Sequence, residues 1–222
     1  MQPESDKTSE RIIEAAGEVF AERGFEQATV RDICQQAGAN LAAVNYYFGD
    51  KQRLYIEAVK RAHHWKMAQA DPPKWADDTS PEEMLGDVIL TFVRRMKLGD
   101  RDTWQNRLMM REMIRSNGAC AELVRDSIRP QFDILMAILG RLLPPGVSEQ
   151  RLRLTTFSVV GQCLFYHIAD PVIRNLVDEA EYATQTPEML AEHITRFTLA
   201  AIQSMHHTAA CEAPTNISRL SN

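Results

Sequence analysis

Between Thr29 and Lys51 the chain reads TVRDICQQAGANLAAVNYYFGDK, and several of its side chains suit a nucleic-acid duplex. Asn40 and Asn45 carry amides able to pair with an adenine edge, and Ala43 offers a methyl to a thymine methyl. Tyr46 and Tyr47 bring hydroxyls on aromatic bodies. Arg31 and Lys51 supply cations, and Thr29 a hydroxyl at a helix start, where free amides and the helix dipole also attract phosphate. From Leu41 to Tyr47 there is no charged residue, and Ala42 and Ala43 are small enough for the backbone to approach a groove closely. Asn40 reads equally well as a plain helix cap, and Tyr47 as a core residue with only its hydroxyl exposed. The partner expected from this set is double-stranded DNA. No glycine-rich phosphate loop, nucleophile elbow or paired-carboxylate arrangement stands out, so no enzymatic activity is expected.

These groups need elements to hold them, and the spacing supplies helices. Ile33, Ala37 and Val44 recur so that one face of each of two short helices meets the other, with Cys34 and Ala37 keeping the crossing small. Gly38 falls where the chain must reverse, a position that commonly needs φ > 0. Thr29 followed by Asp32 makes a capping-box-like start, and Asn40 is placed to cap the next helix. The pattern is a helix-turn-helix. A helix from about Thr8 to Arg23 precedes it, with Ile12, Ala15, Ala16, Val19 and Phe20 on one face, and ends at Gly24, after which Phe25 returns to the core. A long helix from Lys51 to about Ala70 follows. Ser80 as cap and Pro81 at the first helical position end the loop DPPKWADDTSPEE. Further helices are expected at 81–98, 104–116, 120–143, 148–169 and 187–205, separated by GD, NG, PPG and DP signals. The fold class is therefore all-α.

Composition agrees with this reading without producing it. The 222 residues are 45% hydrophobic and 25% charged, ordinary values for a globular protein. No apolar run approaches the ~20 residues of a membrane span, and the polar N-terminus is unlike a signal peptide, so a cytoplasmic location is expected. Cys34, Cys120, Cys163 and Cys211 are scattered without metal-ligand spacing, which favours free thiols. Neither a metal nor any other cofactor is expected. His63-His64 and His206-His207 point in different directions along a helix, and a redox switch through Cys34 or Cys163 conflicts with their apolar rows. The net charge of −5 opposes DNA binding, because phosphate neutralisation supplies much of the affinity of DNA-binding proteins. Residues 1–62 carry eight Lys/Arg against ten Asp/Glu, so attraction must come from local placement.

Two features lie beyond the helix-turn-helix. LRLTTFSVVGQCLFYHI is apolar nearly all round: Leu152, Thr156, Val159, Cys163 and Tyr166 form one row, and Leu154, Phe157, Gly161, Phe165 and Ile168 another. Such a helix is buried on two sides, within one chain or against a second one. The last helix offers Leu190, Ile194, Phe197 and Ala201 as a partner stripe. Met96, Trp104, Leu108, Met113, Met136 and Phe165, with Arg111, Gln162 and His167, suit either plain core or a pocket for a small molecule, since methionine adapts to varied shapes.

RIIEAAGEVFAERGFEQAT, TVRDICQQAG and the ending YYFGDKQRLY together resemble the TetR family of one-component transcription regulators, and NLAAVNYYFGDK, LMMREMI and VVGQCLFYH are most similar to its CecR-like branch. Cys34 stands where that family usually has alanine, and Asn45 where a tyrosine is common, so base preference departs from the usual pattern there. The resemblance implies an N-terminal three-helix helix-turn-helix DNA-binding unit at 1–62 and a helical effector-binding and dimerisation domain at 63–207. Residues 208–222 would form a disordered tail. It also implies a homodimer through helices 148–169 and 187–205, and a repressor released from a pseudo-palindromic operator by a small hydrophobic or aromatic effector. The nine residues named above are the candidate effector contacts, with Arg111 or His167 as polar anchor. The acidic balance leaves one alternative, a helical protein-interaction module that has lost specific DNA binding.

Overall fold

A computed structural model describes residues 4–97, 102–115 and 118–212, and all their regular structure is helical. The described residues of 1–71 and 98–131 form one compact unit, and those of 72–97 and 132–222 a second.

The first unit is built on α1 (Glu4–Gln27), α2 (Val30–Ala37), α3 (Leu41–Phe48) and α4 (Lys51–Met67). The apolar row of α1 is buried as its spacing demands, with Ile12, Ala16 and Phe20 fully enclosed. Its regular path breaks at Gly24, whose φ of 77° and ψ of 171° are not helical. The break turns Phe25 back so that its ring meets Tyr55 at 5.1 Å, while Phe20 meets Tyr55 edge-on at 5.0 Å.

Two more helices complete this core. α6 (Trp104–Ile114) and α7 (Ala119–Leu123) bury Trp104, Leu108, Ala119 and Leu123 among residues of α1 and α4. A polar seam accompanies them: Tyr55 donates to Glu112 Oε2 at 2.7 Å, and Lys66 Nζ donates to Asn106 Oδ1 at 2.7 Å, all four residues buried. The expected cut between 62 and 63 therefore does not coincide with the division of the packed cores, because α4 keeps its apolar face inside the first unit down to Ala62 and α6 joins it from far along the chain.

The second unit contains α5 (Pro81–Lys97), α8 (Arg129–Leu142) from Phe132 onward, α9 (Glu149–Ile168), α10 (Asp170–Leu176), α11 (Glu179–Thr184) and α12 (Pro187–Glu212). Ser80 and Glu83 form the capping box that opens α5: Glu83 N donates to Ser80 Oγ, and Ser80 N to Glu83 Oε2. Leu85, Ile89 and Val93 pack with Leu139, Val159, Leu190 and Ile194.

Three expectations about helices are corrected. The single helix expected at 120–143 is α7, a π-helical turn at Val124–Ile128 and α8; in the turn Arg129 N–H reaches back to Val124 O, one residue farther than an α-helical bond. The Asp-Pro pair read as a separator instead opens α10. There the buried Asp170 accepts from Arg174 Nε at 3.0 Å and from the Tyr182 hydroxyl at 2.5 Å, which ties α10 to α11. Finally, α12 continues to Glu212, so the expected tail at 208–222 starts inside a helix, and 213–222 lie outside the described residues.

Candidate nucleic-acid interface

α2 and α3 are held by the caps their sequence foretells. Thr29 Oγ1 accepts from Asp32 N at 3.1 Å and donates to Asp32 Oδ2 at 2.7 Å, while Arg23 Nη1 pairs with the same carboxylate oxygen at 2.9 Å. The Thr29 hydroxyl, followed by the Arg23 charge, holds the Asp32 carboxyl below the usual aspartate range, though solvent screens so exposed a group. Gly38 ends α2 at φ 58°, ψ 39°, and Ala39 N closes the turn onto Cys34 O at 3.0 Å. Asn40 Oδ1 accepts from Ala43 N at 2.8 Å, so Asn40 is a helix cap whatever else it contacts.

These caps fix which face of α3 looks outward. Val44 is fully buried against the core, with Ala43, Tyr47 and Phe48 half-buried beside it. Leu41 is 56% exposed and Tyr46 82%, far above what a folding role requires, and Asn45 and Asn40 are exposed with them. Tyr47 packs edge-on to Tyr46 at 5.0 Å between ring centres and is itself half-buried against the core. Arg31 and Thr29 are exposed at the start of α2. Lys51 is differently placed: its ammonium sits 4.5 Å above the Phe25 ring and bonds Glu26 O at 3.4 Å. Sequence reasoning passed over Arg53, whose guanidinium is exposed in the first turn of α4.

Residues 12–58 match the family described as bacterial regulatory proteins, tetR family, and residues 81–202 match the C-terminal domain of the HTH-type transcriptional dual regulator CecR. The chain belongs to the TetR family of transcriptional regulators. This TetR-family chain is 24% identical over 204 residues to the dual regulator CecR of Shigella flexneri, covering 88% of its own length and 91% of that protein. It is 29% identical over 86 residues to the transcriptional repressor NicS of Pseudomonas putida, covering 39% of this chain and 40% of that one. Among solved structures, a TetR-like regulator from a Rhodococcus species superposes with a TM-score of 0.58 at 17% identity over 91% of this chain and 99% of that one. NalD, the secondary repressor of the MexAB-OprM efflux pump in Pseudomonas aeruginosa, gives 0.56 at 17% identity over 90% of this chain and 98% of that one. At such identity the likeness concerns the fold. The helix-turn-helix of this TetR-family regulator is thus a DNA-binding element, and the relatives it matches are named transcriptional regulators.

The nine candidate effector residues of the TetR-family chain are divided. Trp104, Leu108, Arg111 and Met113 belong to the first unit, and Met96, Met136, Gln162, Phe165 and His167 to the second. Trp104 and Leu108 are core, and Arg111 donates to Glu22 O at 3.2 Å. Met113 is exposed. An open cleft of about 400 Å³ beside Trp104 is bordered by Glu18, Glu22, Asp102 and Arg107, a polar lining unlike that sought by a hydrophobic molecule. Gln162 turns onto Ser158 O, and Phe165 is exposed on α9.

His63 is buried while His64 is exposed, and His206 Nε2 lies 2.8 Å from Leu142 O, so each histidine of the two pairs has its own surroundings. Among the described residues no three His, Cys, Asp or Glu side chains gather as metal ligands, and no helix is long and apolar enough to cross a membrane. Cys34 and Cys163 are free thiols, and burial pushes the Cys163 thiol up to about 12.

Proposed function

We propose that this TetR-family chain is a ligand-responsive repressor that binds a pseudo-palindromic operator as a two-fold dimer. The observation that carries the reading is the outward face of α3, where Leu41, Asn45 and Tyr46 are exposed around a fully buried Val44. An uncharged helix presented this way reads base edges by close approach, with Thr29, Arg31, Asn40, Ala43, Tyr47 and Lys51 around it as further contacts. Residues 1–62 then carry the DNA-reading function and 63–207 the effector-binding and dimerising ones.

The dimer reading is supported by the second row of α9. Leu154, Phe157, Phe165 and Ile168 are exposed in the single chain, as is Phe197 of α12, while the row of Thr156, Val159 and Cys163 is buried. Pairing these faces with their copies makes a four-helix interface and sets two recognition helices about 34 Å apart. The effector is a small hydrophobic or aromatic molecule, with Met96, Met136, Gln162, Phe165 and His167 of the second unit as contacts. It releases DNA only if it binds the DNA-incompetent form more tightly.

A shift assay with DNA from the protein's own promoter, combined with the mass of the complex, tests the reading. Two or more chains per operator, dissociated by a hydrophobic compound that binds the protein directly, is the expected result. Absence of a shift at low salt would instead favour a protein-interaction module.

A further inference from the structure

The first turn of α4 carries two cations, and the fold treats them differently. Lys51 is docked on its own unit, over Phe25 and against Glu26 O. Arg53 is not. Its backbone N–H is fixed by Asp50 Oδ1 at 2.8 Å, so the residue is anchored at the helix start directly after the Gly49-Asp50 link from α3. Its guanidinium, 55% exposed, donates through Nη1 to Glu122 Oε1 at 2.8 Å. Glu122 stands on α7, and its other oxygen takes Lys60 Nζ at 2.8 Å.

The two cations sharing Glu122 are not equally dependent on it. Lys60 also has Glu57 at 3.6 Å and Asp126 at 4.0 Å. Among the ion pairs of the described residues, Arg53 has Glu122 alone. Neutralising Glu122 therefore leaves Arg53 with no ion-pair partner among the described residues, while Lys60 keeps Glu57 and, more distantly, Asp126, which also pairs with Arg125 at 2.7 Å. A guanidinium that binds a carboxylate binds a phosphodiester by the same fork of N–H donors, so the two anions exchange without rebuilding the site.

We propose that Arg53 is a DNA-phosphate contact held in reserve by Glu122, the carboxylate competing within the molecule against the DNA backbone. This rests on α3 being the DNA-reading helix. In a chain with eight Lys/Arg against ten Asp/Glu over residues 1–62, one withheld cation is a sizeable share of the available attraction. The clamp joins α4 to α7, and opening of the Arg53–Glu122 pair is what makes the cation available to a phosphate.

The test is a double-mutant cycle on the full-length protein, reading anisotropy of a mixed-sequence duplex and of a promoter duplex over a series of salt concentrations. Glu122→Gln should raise affinity roughly two- to fivefold, the scale of one exposed ion pair, and steepen the log–log salt slope by about 0.9, one phosphate contact. Arg53→Gln should abolish that gain, the double variant matching Arg53→Gln alone. An unchanged slope in Glu122→Gln overturns the clamp, as does equal steepening with Arg53 already removed, which would signify general loss of repulsion. Glu122→Ala carries the same expectation; if neither variant folds by circular dichroism, Glu122 is a structural residue and the proposal falls. Wild-type binding to neither duplex overturns the DNA-reading face together with the clamp, whereas wild-type binding without coupling overturns the clamp alone.

Discussion

Trp104 packs directly against Gly17: a Cβ at that glycine would meet indole carbons Cε3 and Cζ3 at 2.4 Å, and the indole N–H donates to Glu14 Oε2 at 2.8 Å. The site is filled on one side by a side chain that is itself hydrogen-bonded, so neither partner can yield cheaply. Gly17→Ala, which in an exposed helix would gain about 1 kcal/mol, should here cost about 1–3 kcal/mol by overpacking. Trp104→Ala should cost about 3–5 kcal/mol. Urea unfolding measures both, and a stabilised Gly17→Ala would show that the indole moves freely.

Asn40 and Asn45 separate capping from reading. Asn40→Ser keeps an acceptor for Ala43 N but loses the amide, and its stability should stay within about 0.5 kcal/mol of wild type, whereas Asn40→Ala should lose about 1 kcal/mol. Asn45 is exposed beyond the cap, so Asn45→Ser should leave the melting temperature unchanged and reduce operator affinity more than Asn40→Ser does. Anisotropy with promoter DNA decides the order.

Tyr46 at 82% exposure contributes little to folding, so Tyr46→Ala should weaken operator binding by about tenfold or more at unchanged melting temperature. Lys51→Ala is expected to lower both, since its ammonium also covers Phe25. Retention of full affinity by Tyr46→Ala would remove it from the interface.

Phe157 and Phe165 protrude from α9 in the single chain. A Phe157→Glu, Phe165→Glu double variant should sediment as a monomer and lose operator binding, while its far-ultraviolet spectrum stays helical. A dimer of unchanged mass would exclude this face.

Stability should fall at both ends of the pH scale, for opposite reasons. Glu122, lowered chiefly by the Lys60 ammonium, and Asp32, lowered chiefly by the Thr29 hydroxyl, have folded values below their unfolded ones. Their contribution is present above the ordinary carboxylate range near ~4 and is lost as pH falls through the folded values. Cys163 is raised to about 12 by burial, so its contribution is complete below the unfolded thiol value and is lost as pH rises toward 12. Melting temperature against pH checks both limbs, and a thiol reagent at neutral pH should modify Cys163 only after unfolding.

What was legible in the sequence was local. Thr29 with Asp32, Gly38, Asn40 and Ser80 each announce a helix end through their own side chain or the lack of one, and each ends or caps a helix where expected, while Gly24 breaks the regular path of α1, which resumes to Gln27. The two rows of α9 were legible for the same reason, since a helix of regular period assigns faces by counting; which row the chain itself buries was not. Contacts between distant segments were not. Nothing near Trp104 says that its indole belongs against Gly17, so the choice between core and pocket could not be made from sequence, and the structure buries it in the first unit's core. Asp170 was hidden in an Asp-Pro signal because its partners Arg174 and Tyr182 become neighbours only once α10 and α11 form. The pairing of Arg53 with Glu122, 69 positions apart, had no local sign either.

Gly38 and Gly17 are both irreplaceable by L-alanine without strain, yet for unrelated reasons. At Gly38 a Cβ would meet nothing within 4 Å, and the obstacle is the φ of 58°. At Gly17 the torsion is ordinary and the obstacle is another side chain. Handedness separates them: a D-alanine introduced by chemical ligation suits a left-handed backbone and should stabilise the turn at 38 by limiting the unfolded chain. At 17, where the torsion is ordinary, the mirror-image residue has no such gain and brings a helix-breaking preference. The turn of the helix-turn-helix is thus specified by chirality, and the seat of the tryptophan by volume.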